Sequence, residues 1–224
     1  MRVLIINPNS DEKMTAAIRQ SAEAYTGGEL EVVCRPTPGA PRFIETYHDE
    51  VQSAPGMLEL VRANEADVDA IVVACHSDTN LDVLKEMSDK PVVGIGEASM
   101  KMATMLGHSF SVITTHRHSV PGKKTLARKY HLQDLLVSVR APDENASYDS
   151  NEELFLELAQ KAIGDDLAEV IVLGCAGLAG MDKSLQEKLG APVLDGVACA
   201  LVIATGFVRY GVSTSKVLGF NPSY

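Results

Sequence analysis

The constraint that weighs most on this chain is an internal repeat. Ala70-Ile71-Val72-Val73-Ala74-Cys75 is matched one hundred residues on by Val170-Ile171-Val172-Leu173-Gly174-Cys175. A short helical stretch and a second apolar run follow each copy: Lys90-Pro91-Val92-Val93-Gly94 in one, Ala191-Pro192-Val193-Leu194-Asp195-Gly196 in the other. Cys75 precedes Pro91 by 16 residues, and Cys175 precedes Pro192 by 17. The halves also open alike, since Val3–Asn7 runs into Pro8-Asn9-Ser10 and Phe110–Thr114 into Thr115-His116-Arg117. A repeat on this scale predicts two similar units, and 224 residues suffice for one large domain or two small ones.

Within each unit, apolar runs alternate with helical stripes. Strands are predicted at Val3–Asn7, Leu30–Arg35, Ala70–Cys75, Pro91–Ile95, Ser109–Thr114, Leu135–Val139, Glu169–Gly174 and Pro192–Leu194. Their Val, Ile and Leu content is nearly continuous, as in strands covered on both faces. Met14, Ala17, Ile18, Ala22 and Tyr25 recur at helical spacing behind Ser10 as N-cap. Leu154, Phe155, Leu158 and Ala162 form a second stripe, and Leu178, Met181, Leu185 and Leu189 a third. Residues 36–50 and 141–150 read as long loops. Such alternation predicts an α/β fold of two similar lobes, each a roughly four-stranded parallel sheet flanked by helices.

Ligands bind beyond the carboxyl ends of strands in sheets of this kind. Four loops therefore converge on one crevice: Asn7–Ser10, Cys75–Thr79, Thr114–His118 and Cys175–Leu178. Both cysteines stand after an apolar strand and before a predicted helix, whose unpaired N–H groups and partial positive charge favour thiolate. Facing lobes would aim the two sulfurs at a shared ligand from opposite sides. One thiolate then removes a proton from carbon while the opposite thiol delivers a proton to the other face. That is stereoinversion, with no metal or organic cofactor. A lone cysteine after a buried strand is ordinarily a small core residue, but two in register within a duplicated unit fit that reading less well. Cys34 and Cys199 have no repeat partner and are expected to be structural, Cys199 within an apolar helix over 197–208.

Composition narrows the class of ligand. The formal net charge is −10 and no basic stripe stands out, which argues against nucleic acid. No apolar run approaches the roughly 18 residues of a membrane helix, and Met1–Asn7 reads as a strand instead of a signal peptide. Four cysteines without CxxC spacing suggest neither a disulfide framework nor zinc. A cytoplasmic protein with reduced thiols and a small-molecule partner is the expectation. His76, His116 and His118 lack the spacing and neighbouring carboxylates of a zinc site. Gly94-Ile95-Gly96 lacks the third glycine of a dinucleotide loop.

At these same residues the chain resembles the aspartate/glutamate/hydantoin racemase superfamily, and within it the hydantoin racemase branch. The matching pieces are Asn7-Pro8-Asn9-Ser10, Ala74-Cys75-His76-Ser77-Asp78, Gly94-Ile95-Gly96-Glu97-Ala98, Val112-Ile113-Thr114-Thr115, Ser119-Val120-Pro121, Leu173-Gly174-Cys175-Ala176-Gly177 and Pro192-Val193-Leu194-Asp195-Gly196. They run in order along nearly the whole chain. The resemblance implies an active site between two lobes with one cysteine base in each, Cys75 and Cys175. It implies that the C-terminal segment returns to the first lobe, giving lobes of 1–97 plus 207–224 and of 98–206, and that the protein forms homo-oligomers. Two segments depart from the pattern: Thr79-Asn80 stands where the family commonly has Pro-Gly, and His116-Arg117-His118 is unusually cationic. Both put the substrate in question more than the reaction.

Asn9, Ser77, Thr114 and Thr115 fall beside the crevice, where they can hold a ring carbonyl or carboxylate, or serve as ordinary turn and cap residues. For Asn9 and Thr115 the resemblance favours the binding role. The smallness of Ala176 and Gly177 leaves backbone N–H groups open to substrate or allows close helix packing. Asp78 and Glu97 hold a substrate N–H or cap a helix. The resemblance implies a cofactor-independent racemase inverting C5 of 5-substituted hydantoins or allantoin. The alternatives are an amino-acid racemase of the same superfamily, with Arg117 or Arg42 clamping a carboxylate, and a non-catalytic two-lobed binding module.

Overall fold

The structure is a computed structural model, and it describes residues 1–143 and 152–223. Each half of the repeat forms a four-stranded parallel sheet. The first contains β1 (Arg2–Asn7), β2 (Glu31–Pro36), β3 (Ala70–Val73) and β4 (Val92–Gly94) in the order β2-β1-β3-β4. The second contains β5 (Phe110–Ile113), β6 (Leu136–Arg140), β7 (Val170–Leu173) and β8 (Val193–Leu194) in the order β6-β5-β7-β8. The two lobes thus share one strand order, and the expected α/β architecture is the observed one. Val3 to Ile6 and Ala70 to Val73 are fully buried, which explains why their sequences show no polar alternation.

Among the described residues, eight α-helices cover the sheets: α1 (Glu12–Thr26), α2 (Tyr47–Asn64), α3 (Leu81–Met87), α4 (Ile95–Leu106), α5 (Val120–Lys129), α6 (Glu152–Gly164), α7 (Asp182–Leu189) and α8 (Gly196–Tyr210). The N-cap of α1 is Asp11, not the expected Ser10: the Asp11 carboxylate accepts the Met14 N–H at 2.7 Å, while Ser10 is exposed. The loop expected over 36–50 ends early, because Thr46 and Asp49 form a capping box that starts α2. The stripe from Leu178 to Leu189 is interrupted. A 3₁₀ turn at Ala176–Leu178 precedes α7, and Gly180 lies between them at φ 87°. The loop expected over 141–150 lies from residue 144 onward outside the described residues.

Two helices exchange lobes. After β4, α4 packs Met100 and Ala103 among Phe110, Val112, Val170 and Val172 of the second sheet. After β8, α8 packs Val197, Ala200, Leu201 and Ala204 among Val3, Ile5, Ala70 and Val72 of the first. Ile95 and Ala98 at the start of α4 still pack with the first lobe's core, and α8 lies on that lobe from Val197 onward; the expected boundaries at 97/98 and 206/207 fall inside these two helices. Beyond α8 the chain stays on the first lobe. The Ser213 hydroxyl donates to the Asp89 carbonyl at 2.7 Å, and Lys216 Nζ to the carbonyls of Lys85 and Glu86. Among the described residues, no helix is long and apolar enough to cross a membrane.

Candidate active site

The carboxyl ends of β1, β3, β5 and β7 converge, as the two sheets require, on a cavity of about 570 Å³. Its wall includes Asn9, Cys75, Ser77, Thr114, Thr115, Cys175 and Ala176. Of the anticipated site residues, Asp78 and Gly177 do not line it. The Asp78 carboxylate points instead to the first turn of α4, accepting from the N–H groups of Gly96 and Glu97. Gly177 donates its N–H to Cys175 Sγ at 3.4 Å, so it serves the sulfur and not a ligand. Glu97 and Ser10 also lie outside the wall, and Glu97 is held by Lys85 at 2.7 Å.

Much of the polar wall is already committed internally. Asn9 Oδ1 accepts the Asn7 side-chain amide at 2.7 Å and the Asp11 N–H at 2.9 Å, which leaves the Asn9 NH₂, near Met14 Sδ at 3.2 Å, as its donor toward a ligand. The Ser119 hydroxyl donates to the His116 carbonyl, so at 2.8 Å it accepts from Thr114 Oγ1. Thr115 Oγ1 bonds His116 Nδ1 at 2.7 Å and also supports Cys175. The Ser99 hydroxyl donates to the Ile95 carbonyl at 2.7 Å, so it accepts from His76 Nε2 at 3.2 Å. Burial, with the nearby Lys123 charge, holds the His76 pKa well below the ordinary value, and its Nδ1 has no hydrogen-bond partner among the described residues.

Cys75 does not sit directly at the start of a helix, contrary to expectation, whereas Cys175 is the N-cap of a short 3₁₀ helix and its Sγ accepts the Gly177 N–H. Cys75 is followed by a turn, and α3 begins only at Leu81. Positive charge also comes from elsewhere. Lys123 on α5 lines the same cavity with only 4% exposure, and its charge is felt at both Cys75 and Cys175. Burial depresses the pKa of this ammonium, while the two thiols, Asp78 and Glu50 oppose that shift. Burial likewise raises the Cys175 thiol, against the pull of the Gly177 N–H and Lys123. Glu50 on α2 lines the cavity too, its carboxyl raised by burial. Cys34 and Cys199 are buried in the first lobe's core, with thiols pushed up to about 11 and about 12.

Lys123 was not anticipated, although its sequence carried a signal. Lys123, Leu126, Ala127 and Tyr130 fall on one helical face, and the first three are buried, so a lysine occupies an apolar stripe. Phe43, Ile44 and Tyr47 add an apolar wall from the segment entering α2. Of the two arginines considered as carboxylate clamps, Arg42 is outside the wall and pairs with Asp11 at 2.9 Å. Arg117 is in the wall but pairs with Asp143 at 3.3 Å, both largely exposed. Among the described residues, no group of three or more His, Cys, Asp and Glu could hold a metal ion.

Comparison with known proteins bears on this arrangement. Residues 3–204 match the family described as Asp/Glu/Hydantoin racemase. A hydantoin racemase of Rhizobium meliloti is 37% identical over 97% of this chain and 92% of its own length. One from a Pseudomonas species is 35% identical over 97% and 90%. The structure of an allantoin racemase from Klebsiella pneumoniae superimposes with a TM-score of 0.93 at 31% identity, covering 98% of this chain and 92% of that one.

Proposed function

We propose that this chain, which belongs to the Asp/Glu/hydantoin racemase family and is an isomerase of the racemase type, inverts C5 of 5-substituted hydantoins or of allantoin by proton transfer between Cys75 and Cys175. The observation that carries this reading is that equivalent strand ends of two like lobes place one thiol each on a single cavity, beside one buried lysine. The relatives' names, hydantoin racemase and allantoin racemase, supply the substrate class.

The chemistry suits the groups present. The C5 proton of a hydantoin is acidified by the adjacent carbonyl. One cysteine, as thiolate, takes that proton and forms S–H; the electron pair left on carbon delocalises into the ring carbonyl as an enolate. The opposite thiol then gives its proton to the other face of C5 and is left as thiolate. The two sulfurs have exchanged roles, and proton exchange with water restores the starting state. Lys123 supplies positive charge while the enolate exists, in a site where burial strengthens that interaction. A free amino acid would also require its carboxylate to be clamped, and neither Arg42 nor Arg117 is placed for that without leaving its present partner.

The test is solvent deuterium incorporation at C5 of a single-enantiomer hydantoin or allantoin, followed together with optical inversion. Wild-type protein should do both. Cys75→Ser and Cys175→Ser should each lose inversion by about 10²–10⁴-fold, and one of them should still exchange the C5 proton of one enantiomer. Wild-type inversion by Cys175→Ser would remove the two-base mechanism. Absence of exchange and inversion across a hydantoin and allantoin panel would remove the substrate class.

A further inference from the structure

Two buried carboxylates outside the cavity hold the loops on which the cysteines sit. Asp78 ends the turn after Cys75, its N–H donating to the Cys75 carbonyl at 2.9 Å. Its side chain accepts from the N–H groups of Gly96 at 2.9 Å and Glu97 at 2.7 Å in the first turn of α4. It also accepts from the Tyr130 hydroxyl at 2.6 Å, just past α5 of the second lobe. Asp195 stands at the start of α8, where Oδ1 accepts the Val197 N–H at 2.7 Å. Its Oδ2 accepts the Gly180 N–H at 2.9 Å, from the turn after Cys175, and the Ser21 hydroxyl at 2.7 Å on α1 of the first lobe.

Each carboxylate therefore ties together three parts: the turn behind one cysteine, the first turn of a helix that changes lobes, and a hydroxyl on the far side of the lobe boundary. The two crossing helices also meet at these points, since a Cβ on Gly196 would come within 3.0 Å of the Ile95 Cβ. Room for Asp78 is built in. A side chain at Gly94 would collide with its carboxylate, and one at Gly96 would come within 2.8 Å of Oδ2. Asp78 itself is held at φ 52°, in the left-handed region that a residue with a side chain keeps only when its surroundings fix it. Such an investment in bonds and shape exceeds what capping a helix requires.

We propose that Asp78 and Asp195, from different places in the repeat, are a pair of positioning residues that set how Cys75 and Cys175 face each other, Asp78 through the turn after Cys75 and Asp195 through the turn after Cys175. The role rests on the two-cysteine reading above, but part of its test does not depend on activity. In Asp78→Asn and Asp195→Asn, one acceptor oxygen becomes an amide that cannot satisfy the same N–H donors. Racemisation should show kcat lower by roughly 10- to 100-fold with KM changed far less, as expected when reacting groups are misplaced without loss of binding contacts.

The decisive measurement is site-resolved alkylation of the intact protein by iodoacetamide, read by mass spectrometry. Asp78→Asn should change the rate at Cys75 severalfold and leave Cys175 near its wild-type rate; Asp195→Asn should do the reverse. Tyr130→Phe and Ser21→Ala remove one donor from each carboxylate, and should shift the same cysteines in the same sense by a smaller factor. They carry the test if an aspartate variant fails to fold. Alkylation rates that move together at both cysteines, or at neither, would overturn the proposal. Variants whose alkylation shifts selectively as described, alongside wild-type protein that inverts no hydantoin, would leave the positioning role intact and defeat the functional reading instead.

Discussion

Lys123→Met removes one buried charge and almost no volume, so activity and stability should move in opposite directions. Lys123 is 4% exposed, and burial depresses its pKa while Cys75, Cys175, Asp78 and Glu50 favour its charge. In the proposed mechanism it is the cation that supports the enolate. Loss of one such stabilising group costs about 10²–10³ in kcat, or ~3–4 kcal/mol. Folding responds with the other sign. An ammonium with a depressed folded pKa binds fewer protons folded than unfolded, so stability rises with pH between that depressed value and the ordinary 10.5. Below that window the charge is a standing cost. Methionine fills the same space without that charge, so the variant should unfold at a higher temperature than wild type near neutrality. In a chain of this size each kcal/mol is worth about 2–4 °C in Tm. Racemisation followed by circular dichroism, with thermal unfolding at pH 7 and pH 10, measures both. The Tm advantage of the variant should shrink at pH 10. A kcat/KM within threefold of wild type would refute the catalytic role, and a Tm several degrees lower would refute the buried-charge reasoning.

Cys34→Ala and Cys199→Ala should leave racemisation within about twofold, since these thiols sit in the first lobe's core away from the cavity wall; steady-state kinetics checks this. Gly94→Ala should destabilise by ~1–3 kcal/mol, because the methyl meets the Asp78 carboxylate and a Leu81 methyl 2.8 Å away. Gly164→Ala, with nothing within 4 Å at the end of α6, should instead be neutral or stabilise by up to ~1 kcal/mol; denaturant titration of the pair separates the two effects. Arg140 bonds Asp166 at 2.6 and 2.8 Å and holds its carboxyl below the ordinary 3.8. That contribution is present above pH 3.8 and lost as pH falls through the depressed value, so Arg140→Ala should cost ~1 kcal/mol near neutrality and little at low pH.

How much of this could be read from the chain alone follows from which forces are local. The strands were legible because Val3–Ile6 and Ala70–Val73 are buried on both faces, and continuous burial leaves a continuous apolar run. The shared cysteine site was legible because the repeat places both thiols at the same strand end. The lobe crossings were not, since an apolar stripe such as that of α8 reports that it must be covered but not by which sheet. The orientation of Asp78 was equally hidden. A carboxylate three residues after a cavity cysteine can face the cavity or the neighbouring helix, and the free N–H groups of Gly96 and Glu97 decide for the helix. Lys123 was missed for a different reason. α5 has the sequence VPGKKTLARK, in which adjacent lysines suggest a solvated face until the burial of Leu126 and Ala127 fixes which side is inward.

The result is a nearly symmetric scaffold with a one-sided charge, and this asymmetry fits the reaction proposed for it. The helix after the first strand of each lobe reaches the cavity, but α1 contributes Met14 where α5 contributes Lys123. Among the described residues, one buried lysine thus stands on the cavity wall beside both thiols. Proton transfer at a stereocentre needs equivalent groups on the two faces, because either enantiomer becomes the other through the same intermediate. Charge stabilisation has no such requirement. The enolate oxygen lies in the ring plane, at one edge, whichever face lost the proton, so one cation at that edge supports both directions. Moving the charge to the opposite lobe tests this logic. Met14→Lys combined with Lys123→Met should restore little activity if the ring is held in one orientation, because its carbonyl would then point away from the new ammonium. Recovery to near the wild-type rate would mean that the substrate binds in either orientation, and that the scaffold's symmetry extends to the ligand.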